Sequence, residues 1–335
     1  MLFNFFAEEN RLAQLSKLGD SLEKLKVIDF ESFRPILNKT FEKERKSKAG
    51  RPSFDYVMMF KVLILQRLFN LSDDQTEFQI TDRMSFQRFL GLSMSDKVPD
   101  AKTIWLFRDT LVKDGTINLL FNEFGRQLEE RRIITHTGTI IDATFVDAPR
   151  QRNTREDNAT IKEGKMPEEW KNKPHKIAQK DLDARWFTKW GEKHYGYKNH
   201  IKVDAENKII IDYGTTSASV HDSNVFTDFL NESDQVVYAD SAYVGKEIPE
   251  NVKSEVCEKA SRYVKLTEEQ IAENRRKSKV RCRIEHVFGF MTKSMNGLTI
   301  RSIGIKRAAF WNGLTNLVYN FFRYAFLKQS TAVKG

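Results

Sequence analysis

At about residue 134 the chain changes texture, and that change limits the fold more than any other feature. Before it, apolar residues recur at three- and four-residue steps, as in Leu12, Leu15, Leu18, Leu22 and Leu25 and again from Tyr56 to Phe69, which is the period of helices that bury one face. After it, Thr137 to Val146, His194 to Val203, Ile209 to Ser219 and Val236 to Ala239 are short runs of β-branched and aromatic residues bounded by polar turns. Asp204-Ala205-Glu206-Asn207-Lys208 predicts a hairpin between the second and third runs. A short helix is expected from Asp222 to about Asn231, a further strand at Val252 to Cys257, and a long helix from about Thr267 to Lys293. The resulting order of elements predicts an α/β unit, a mixed sheet flanked by helices, preceded by an all-α region.

Two aspartates sit awkwardly in that scheme. Asp142 lies inside the apolar run Thr139-Ile140-Ile141-Asp142-Ala143-Thr144-Phe145-Val146, and Asp240 ends Val236-Val237-Tyr238-Ala239-Asp240. Burying a carboxylate costs several kcal/mol unless something pairs with it. A divalent cation is the simplest partner, provided that the two strands are neighbours. Glu285 sits in the long basic helix, whose apolar stripe is Val280, Ile284, Val287, Phe288 and Met291, so it borders the buried and the basic faces at once. Hard oxygen donors of this kind suit Mg²⁺ or Mn²⁺.

The charge balance points to a polyanionic partner. The chain has 55 Lys+Arg against 46 Asp+Glu, a net charge of +9, and the excess is clustered. Arg275, Arg276, Lys277, Lys279, Arg281 and Arg283 fall within nine residues, and Lys43 to Arg51, which includes Lys48, carries five cations. Gly50-Arg51-Pro52 has the chemistry of a minor-groove arm as well as that of an ordinary basic linker. The two cysteines, Cys257 and Cys282, lack zinc-ligand spacing and fit a reducing compartment. A signal peptide is unexpected because Met1 to Glu9 lacks a basic n-region and a longer apolar core, and a membrane span because Asn312, Asn316, Asn320 and Arg323 interrupt the aromatic-rich C-terminal stretch at helical spacing.

Residues 150–190 break the order of elements. They are rich in Lys and Arg with little apolar periodicity, and are expected to form a polar insertion. Trp186 and Trp190 in it, with Tyr243 three residues after Asp240, are candidates for stacking on an unpaired base.

At these residues the chain resembles the DDE transposases of bacterial insertion sequences, the IS-four/IS-five group. Gly138-Thr139-Ile140-Ile141-Asp142-Ala143-Thr144 is similar to the first catalytic block of that family. Val237-Tyr238-Ala239-Asp240-Ser241-Ala242-Tyr243 is similar to the second, and Arg281-Cys282-Arg283-Ile284-Glu285-His286-Val287-Phe288-Gly289 to the third. Residues 50–112 are similar to its helical N-terminal region. The third block in the group reads Tyr, two residues, Arg, three residues, Glu, six residues, Lys. Arg281 and Glu285 match, whereas Ser278 replaces the Tyr and Thr292 the Lys; Lys293 follows one place later, about 100° further around an α-helix.

The resemblance implies a ribonuclease-H-like catalytic domain at 134–294, with the insertion at 150–190. A helical DNA-binding and dimerisation region at 1–133 would precede it, with a basic linker at 41–53, and a C-terminal helix at 295–335 would follow. It implies catalysis by Asp142, Asp240 and Glu285 on two Mg²⁺ or Mn²⁺ ions per active site, and transfer of 3′-hydroxyl ends to target DNA. Phosphate contacts would come from Arg281, Lys293, Arg275, Arg276, Lys277, Lys279, Arg283, Lys48 and Arg51. The partners would be the double-stranded transposon ends and target DNA, bound by a homodimer or higher oligomer in a bacterial cytoplasm, associated with the nucleoid. A catalytically silent DNA-binding regulator and a nuclease of the same fold share these features and stay open at this point.

Overall fold

A computed structural model describes residues 7–42, 53–189, 191–231, 233–260 and 265–332. Lys48, Arg51, Trp190 and all but the ends of the 41–53 segment lie outside the described residues. The chain divides into two compact units, Met1–Phe124 with Leu317–Gly335, and Gly125–Asn316.

In the first unit, helices begin where capping side chains stand. α1 (Ala7–Lys17) and α2 (Arg34–Phe41) precede α3 (Tyr56–Leu68), whose N-cap Asp55 accepts from the Met58 amide. α4 (Asp73–Asp82) opens on a reciprocal Ser72/Gln75 box, α5 (Met84–Leu90) stops at Gly91 in the left-handed region, and α6 (Ala101–Lys113) is capped by Asp100. α7 (Thr116–Glu130) follows. α3 is buried on nearly all sides and forms the centre of this unit. Phe60 meets Phe33 edge-on at 5.4 Å, and Phe321 from the C-terminal helix meets Phe124 in the same way at 4.7 Å.

The second unit is built on a six-stranded mixed sheet. Its strands are β1 (Thr139–Asp147), β2 (Arg185–Lys189), β3 (Glu192–Asp204), β4 (Ile210–Ser217), β5 (Val236–Ala239) and β6 (Lys253–Val256). β3 pairs antiparallel with β1, β2 and β4; β1 pairs parallel with β5, and β5 parallel with β6. The spatial order β4-β3-β1-β5-β6, with an antiparallel meander followed by two parallel additions, is the arrangement expected of a ribonuclease-H-like sheet. β2 pairs with residues 192–196 of the long β3, on the edge opposite β1 that β4 occupies further along.

Strand alternation sends Val146 and Tyr197 to one face, where they pack with Ile300 and Ala308, and Ile141, Val237 and Ala239 to the other, where they pack with Phe226, Phe229 and Tyr243. Two further helices, α8 (Arg155–Lys162) and α9 (Glu168–Lys171), and a single turn, α10 (Pro174–Ile177), lie between β1 and β2. The expected insertion is therefore shorter and more ordered than its composition suggested: its last residues are β2, and Trp170 is wholly buried within it. The helix expected after Asp222 is replaced by two single 3₁₀ turns, Asp222–Asn224 and Thr227–Phe229.

The long basic helix is two helices. α11 (Glu268–Arg281) starts at a Thr267/Gln270 capping box, and α12 (Arg283–Gly289) follows after a turn at Cys282. A π-helical turn, Phe290–Ser294, then leads on to α13 (Ile305–Ala332). Within the second unit, Asn316 of α13 exchanges amide hydrogen bonds with Asn199, and Asn312 donates to Thr215. These polar interruptions of an aromatic helix are thus satisfied inside the protein. No helix among the described residues is long and apolar enough to cross a membrane.

Candidate active site

Asp142 lies mid-strand on β1, opposite Ile201 of β3, with one fifth of its side chain exposed. On its other side β1 pairs with β5 through Ile140 and Tyr238. Asp142 and Asp240 each follow that pair by two residues, so the two aspartates stand at the same level on adjacent parallel strands. The adjacency on which the reading of these residues depended is present. Asp240 is exposed, and its carboxylate accepts from the Ser241 amide at 2.6 Å, starting a single 3₁₀ turn.

α11 packs against β5 and α12 against β1. Ile284, Val287 and Phe288 are buried, which leaves Glu285 on the outward side with three fifths of its side chain exposed. Arg281, one turn earlier, reaches between the acids: its Nη1 is 3.5 Å from Asp142 Oδ2 and 4.0 Å from Glu285 Oε1. Burial pushes the Asp142 carboxyl up to about 6, and the charges of Glu285 and Asp240 add to the rise. The Ala143 amide, donating at 2.8 Å, and Arg281 pull the other way without cancelling it. One long ion pair is too weak to offset the desolvation.

The donor set fits a hard divalent cation in chemistry: Asp142 is desolvated, the charges of Glu285 and Asp240 raise its carboxyl further, and Arg281 reaches Asp142 and Glu285 only at 3.5 and 4.0 Å. As they stand they form no closed ligand cluster; among the described residues no three His, Cys, Asp or Glu side chains converge on one ion position.

The basic run has several distinct uses. Arg276 is paired with Glu255 and Glu273, Lys277 is buried and donates to the Val256 carbonyl at 3.0 Å, and Arg283 donates to the Ala205 carbonyl at 2.7 Å. Lys277 is thus not at the surface where a phosphate would meet it. Arg275 and Lys279 stand exposed on α11, as does Lys293 beyond α12. Lys293 falls in the π-helical turn, where each turn takes one more residue than in an α-helix. The offset expected for Lys293 on an α-helix is therefore reduced, because the extra residue in the sequence is absorbed by the wider turn.

Neither described aromatic candidate, Tyr243 or Trp186, presents a free ring face to the carboxylates. Tyr243 is only 2% exposed and its ring centroid is 4.8 Å from that of Phe226, so it is a core residue and offers no face to a base. Burial and the neighbouring Asp142, Asp222 and Asp240 also push its phenol well above the usual range. Trp186 is exposed, with Arg150 over its ring at 5.6 Å, but it pairs with Tyr195 on β3. From Tyr195 to Ile201, opposite Asp142, the strand advances about 20 Å.

The sequence reading passed over a buried polar system on the opposite face of β3. Lys198, His200 and Lys202 alternate along it, all nearly inaccessible. Lys198 pairs with Asp222 at 2.8 Å, His200 meets Thr216 at 2.8 Å, and Lys202 pairs with Asp234 at 2.7 Å. The signal was present as three basic residues at period two inside a strand, which alternation places on one face.

A mixed sheet in this order, flanked by helices, defines a ribonuclease-H-like domain. Residues 134–321 match the family described as Transposase DDE domain, and residues 8–110 that described as Transposase domain (DUF772). The chain belongs to the DDE transposases of insertion sequences, IS4/IS5-like, and is an enzyme of metal-dependent DNA cleavage and strand transfer. Among solved structures, the cryo-EM structure of the piggyBac transposase synaptic complex with hairpin DNA is similar over 93% of this chain and 75% of that one, at 11% identity and a TM-score of 0.45.

Proposed function

We propose that this transposase binds the terminal inverted repeats of its own insertion sequence, cleaves at their ends and joins the 3′-hydroxyls to target DNA, using Asp142, Asp240 and Glu285 as the acids of a two-ion site. The observation that carries the reading is the parallel pairing of β1 and β5, which sets Asp142 and Asp240 level with each other beneath the helix bearing Glu285. The three carboxylates would hold Mg²⁺ or Mn²⁺, and such ions supply activation of a water or 3′-hydroxyl and neutralisation of the leaving oxygen.

The chain's own residues do the rest. Asp142, desolvated and crowded by like charge, favours any state that brings positive charge to it. Arg281 supplies part of that charge and also faces the space a scissile phosphate would take, where a guanidinium can bind two oxygens. Arg275, Lys279 and Lys293, exposed on the helical segment that also carries Glu285, form the surface proposed to follow the DNA backbone. Holding two ends together requires at least a dimer on DNA.

The test is an in vitro reaction of the full-length protein with duplexes carrying the terminal repeats, a target plasmid and Mg²⁺. A transposase of this description yields joined products, a nuclease yields cut ends alone, and a silent regulator yields only bound DNA. Asp240→Ala should abolish cleavage and joining while end binding persists. Full activity of that variant would sink the assignment.

A further inference from the structure

Glu285 does not ride on an uninterrupted helix. α11 ends at Arg281, Cys282 forms a turn with helix-like dihedrals, and α12 has seven residues, so a break between two helices falls three residues before Glu285. The buried residues Ile284, Val287 and Phe288 of α12 fix its depth, but apolar contacts are non-directional and permit sliding. Two directed contacts flank Glu285. Arg283, two residues before it, donates from Nη1 to the Ala205 carbonyl at 2.7 Å, and His286, one residue after it, has Nδ1 2.8 Å from Lys208 Nζ.

Both contacts land on the turn between β3 and β4, and that turn is firmly held. The Asp204 carboxylate, wholly buried, accepts from the Thr135 amide at 2.9 Å, the Thr135 hydroxyl at 2.7 Å, the Glu206 amide at 3.1 Å and the Asn207 amide at 2.6 Å. Asn207 in turn donates to the Ile133 carbonyl at 2.7 Å. Lys208 keeps φ at 56°, a conformation that a lysine adopts only when its surroundings impose it. The turn also continues β3, in which Ile201 stands opposite Asp142. A path of directed contacts therefore runs from the strand of Asp142, through the β3–β4 turn, to the residues on either side of Glu285.

We propose that Arg283 and the Lys208–His286 contact form a clamp that sets the position of Glu285 relative to Asp142. Arg283 is a positioning residue, acting through Glu285 and not through DNA. The inference rests on the reading of Glu285 as one of the metal-holding acids.

The experiment is titration of the DNA-free, full-length protein with Mn²⁺, followed by electron paramagnetic resonance, together with binding of a short duplex over a range of salt concentrations. Removing a cation beside a metal site should strengthen Mn²⁺ binding if charge alone matters. The clamp demands the opposite: Arg283→Gln weakens Mn²⁺ binding about tenfold, the order found for outer-shell supports of metal ligands. Lys208→Met weakens it several-fold, and Arg283→Lys, which keeps a charged donor for the Ala205 carbonyl, recovers most of the affinity. Duplex affinity and its salt dependence stay as in the unaltered protein, whereas loss of a phosphate contact would lower the salt slope by about one.

Unchanged or tighter Mn²⁺ binding in the folded Arg283→Gln and Lys208→Met variants overturns the clamp, as does a reduced salt slope for Arg283→Gln. Should Arg283→Gln fail to fold, Lys208→Met decides alone. Glu285→Gln separates the two levels of the inference. If that variant binds Mn²⁺ as well as the unaltered protein, the reading of Glu285 fails; if it loses Mn²⁺ while Arg283→Gln does not, only the clamp fails.

Discussion

Replacing Asp142 with Asn should destroy activity and strengthen the fold. In the metal-free protein the Asp142 carboxyl titrates at about 6 against an ordinary value of 3.8, chiefly because it is buried. The folded state therefore holds this proton more tightly than the unfolded chain, and stability falls as pH rises from about 4 to about 6. A shift of roughly two units corresponds to about 3 kcal/mol lost above that window. Asn has almost the same shape, and its oxygen can keep the hydrogen bond from the Ala143 amide, so the substitution removes the charge with little repacking. The bond it gives up is the 3.5 Å contact with Arg281, which is too long to reverse the sign.

Thermal melting in EDTA tests this. For a unit of this size 3 kcal/mol corresponds to a rise of about 6–12 °C in the melting temperature at pH 7.5, shrinking to nothing near pH 4. With Mg²⁺ added, the unaltered protein should recover much of the difference, because the ion binds the folded state alone. A variant that melts lower at pH 7.5, or by the same margin at both pH values, would refute the electrostatic account of the site.

Three further outcomes follow from the fold. Lys202 and Asp234 are 2% and 3% exposed, so Lys202→Met alone strands a buried carboxylate and should cost about 3–5 kcal/mol, while the Lys202→Met/Asp234→Leu double variant should cost much less, as urea unfolding would measure. Gly196 holds φ at 151°, and a Cβ there would lie 2.3 Å from the Val146 carbonyl oxygen; Gly196→Ala should break the β1–β3 pairing beyond Phe145 and abolish soluble expression. Burial drives His200 down to about 4, below its unfolded value, so the folded state resists its protonation and stability should fall as pH drops from about 6.5 to 4; His200→Gln should flatten that part of the pH–melting curve.

The carboxylates were legible because each broke a local rule: an acid within an apolar strand, an acid at a strand end, an acid beside a buried stripe. The pairing of β1 with β5 was not, since Ile140 and Tyr238 are 98 residues apart in sequence and no turn connects them directly. The insertion was misjudged because periodicity fails for helices of four residues, such as those at Glu168–Lys171 and Pro174–Ile177, where too few turns exist to establish a stripe. The break at Cys282 was hidden for a different reason. Cys282 keeps helix-like dihedrals, φ −61° and ψ −11°, so neither Gly nor Pro was needed to make it. Which cations of the basic run are exposed depends on Glu255, Val256 and Ala205, partners remote in sequence.

The two faces of the sheet treat buried charge in opposite ways, and the contrast locates the site better than burial does. Behind the sheet every buried cation has its own acceptor: Lys198 has Asp222 and the Val220 carbonyl, and Lys202 has Asp234 and the Phe229 carbonyl. Charge there is balanced locally, which is what a fold needs and all that it needs. In front, Asp142 is desolvated beside Glu285 and Asp240, and its contact with Arg281 at 3.5 Å does not offset that burial. A sequence selected for stability alone would remove that charge, as Asp142→Asn does at one step. The divalent cation proposed for this site would account for its persistence at the level where β1 and β5 run side by side, and the gain in melting temperature of Asp142→Asn would measure what the fold gives up to receive it.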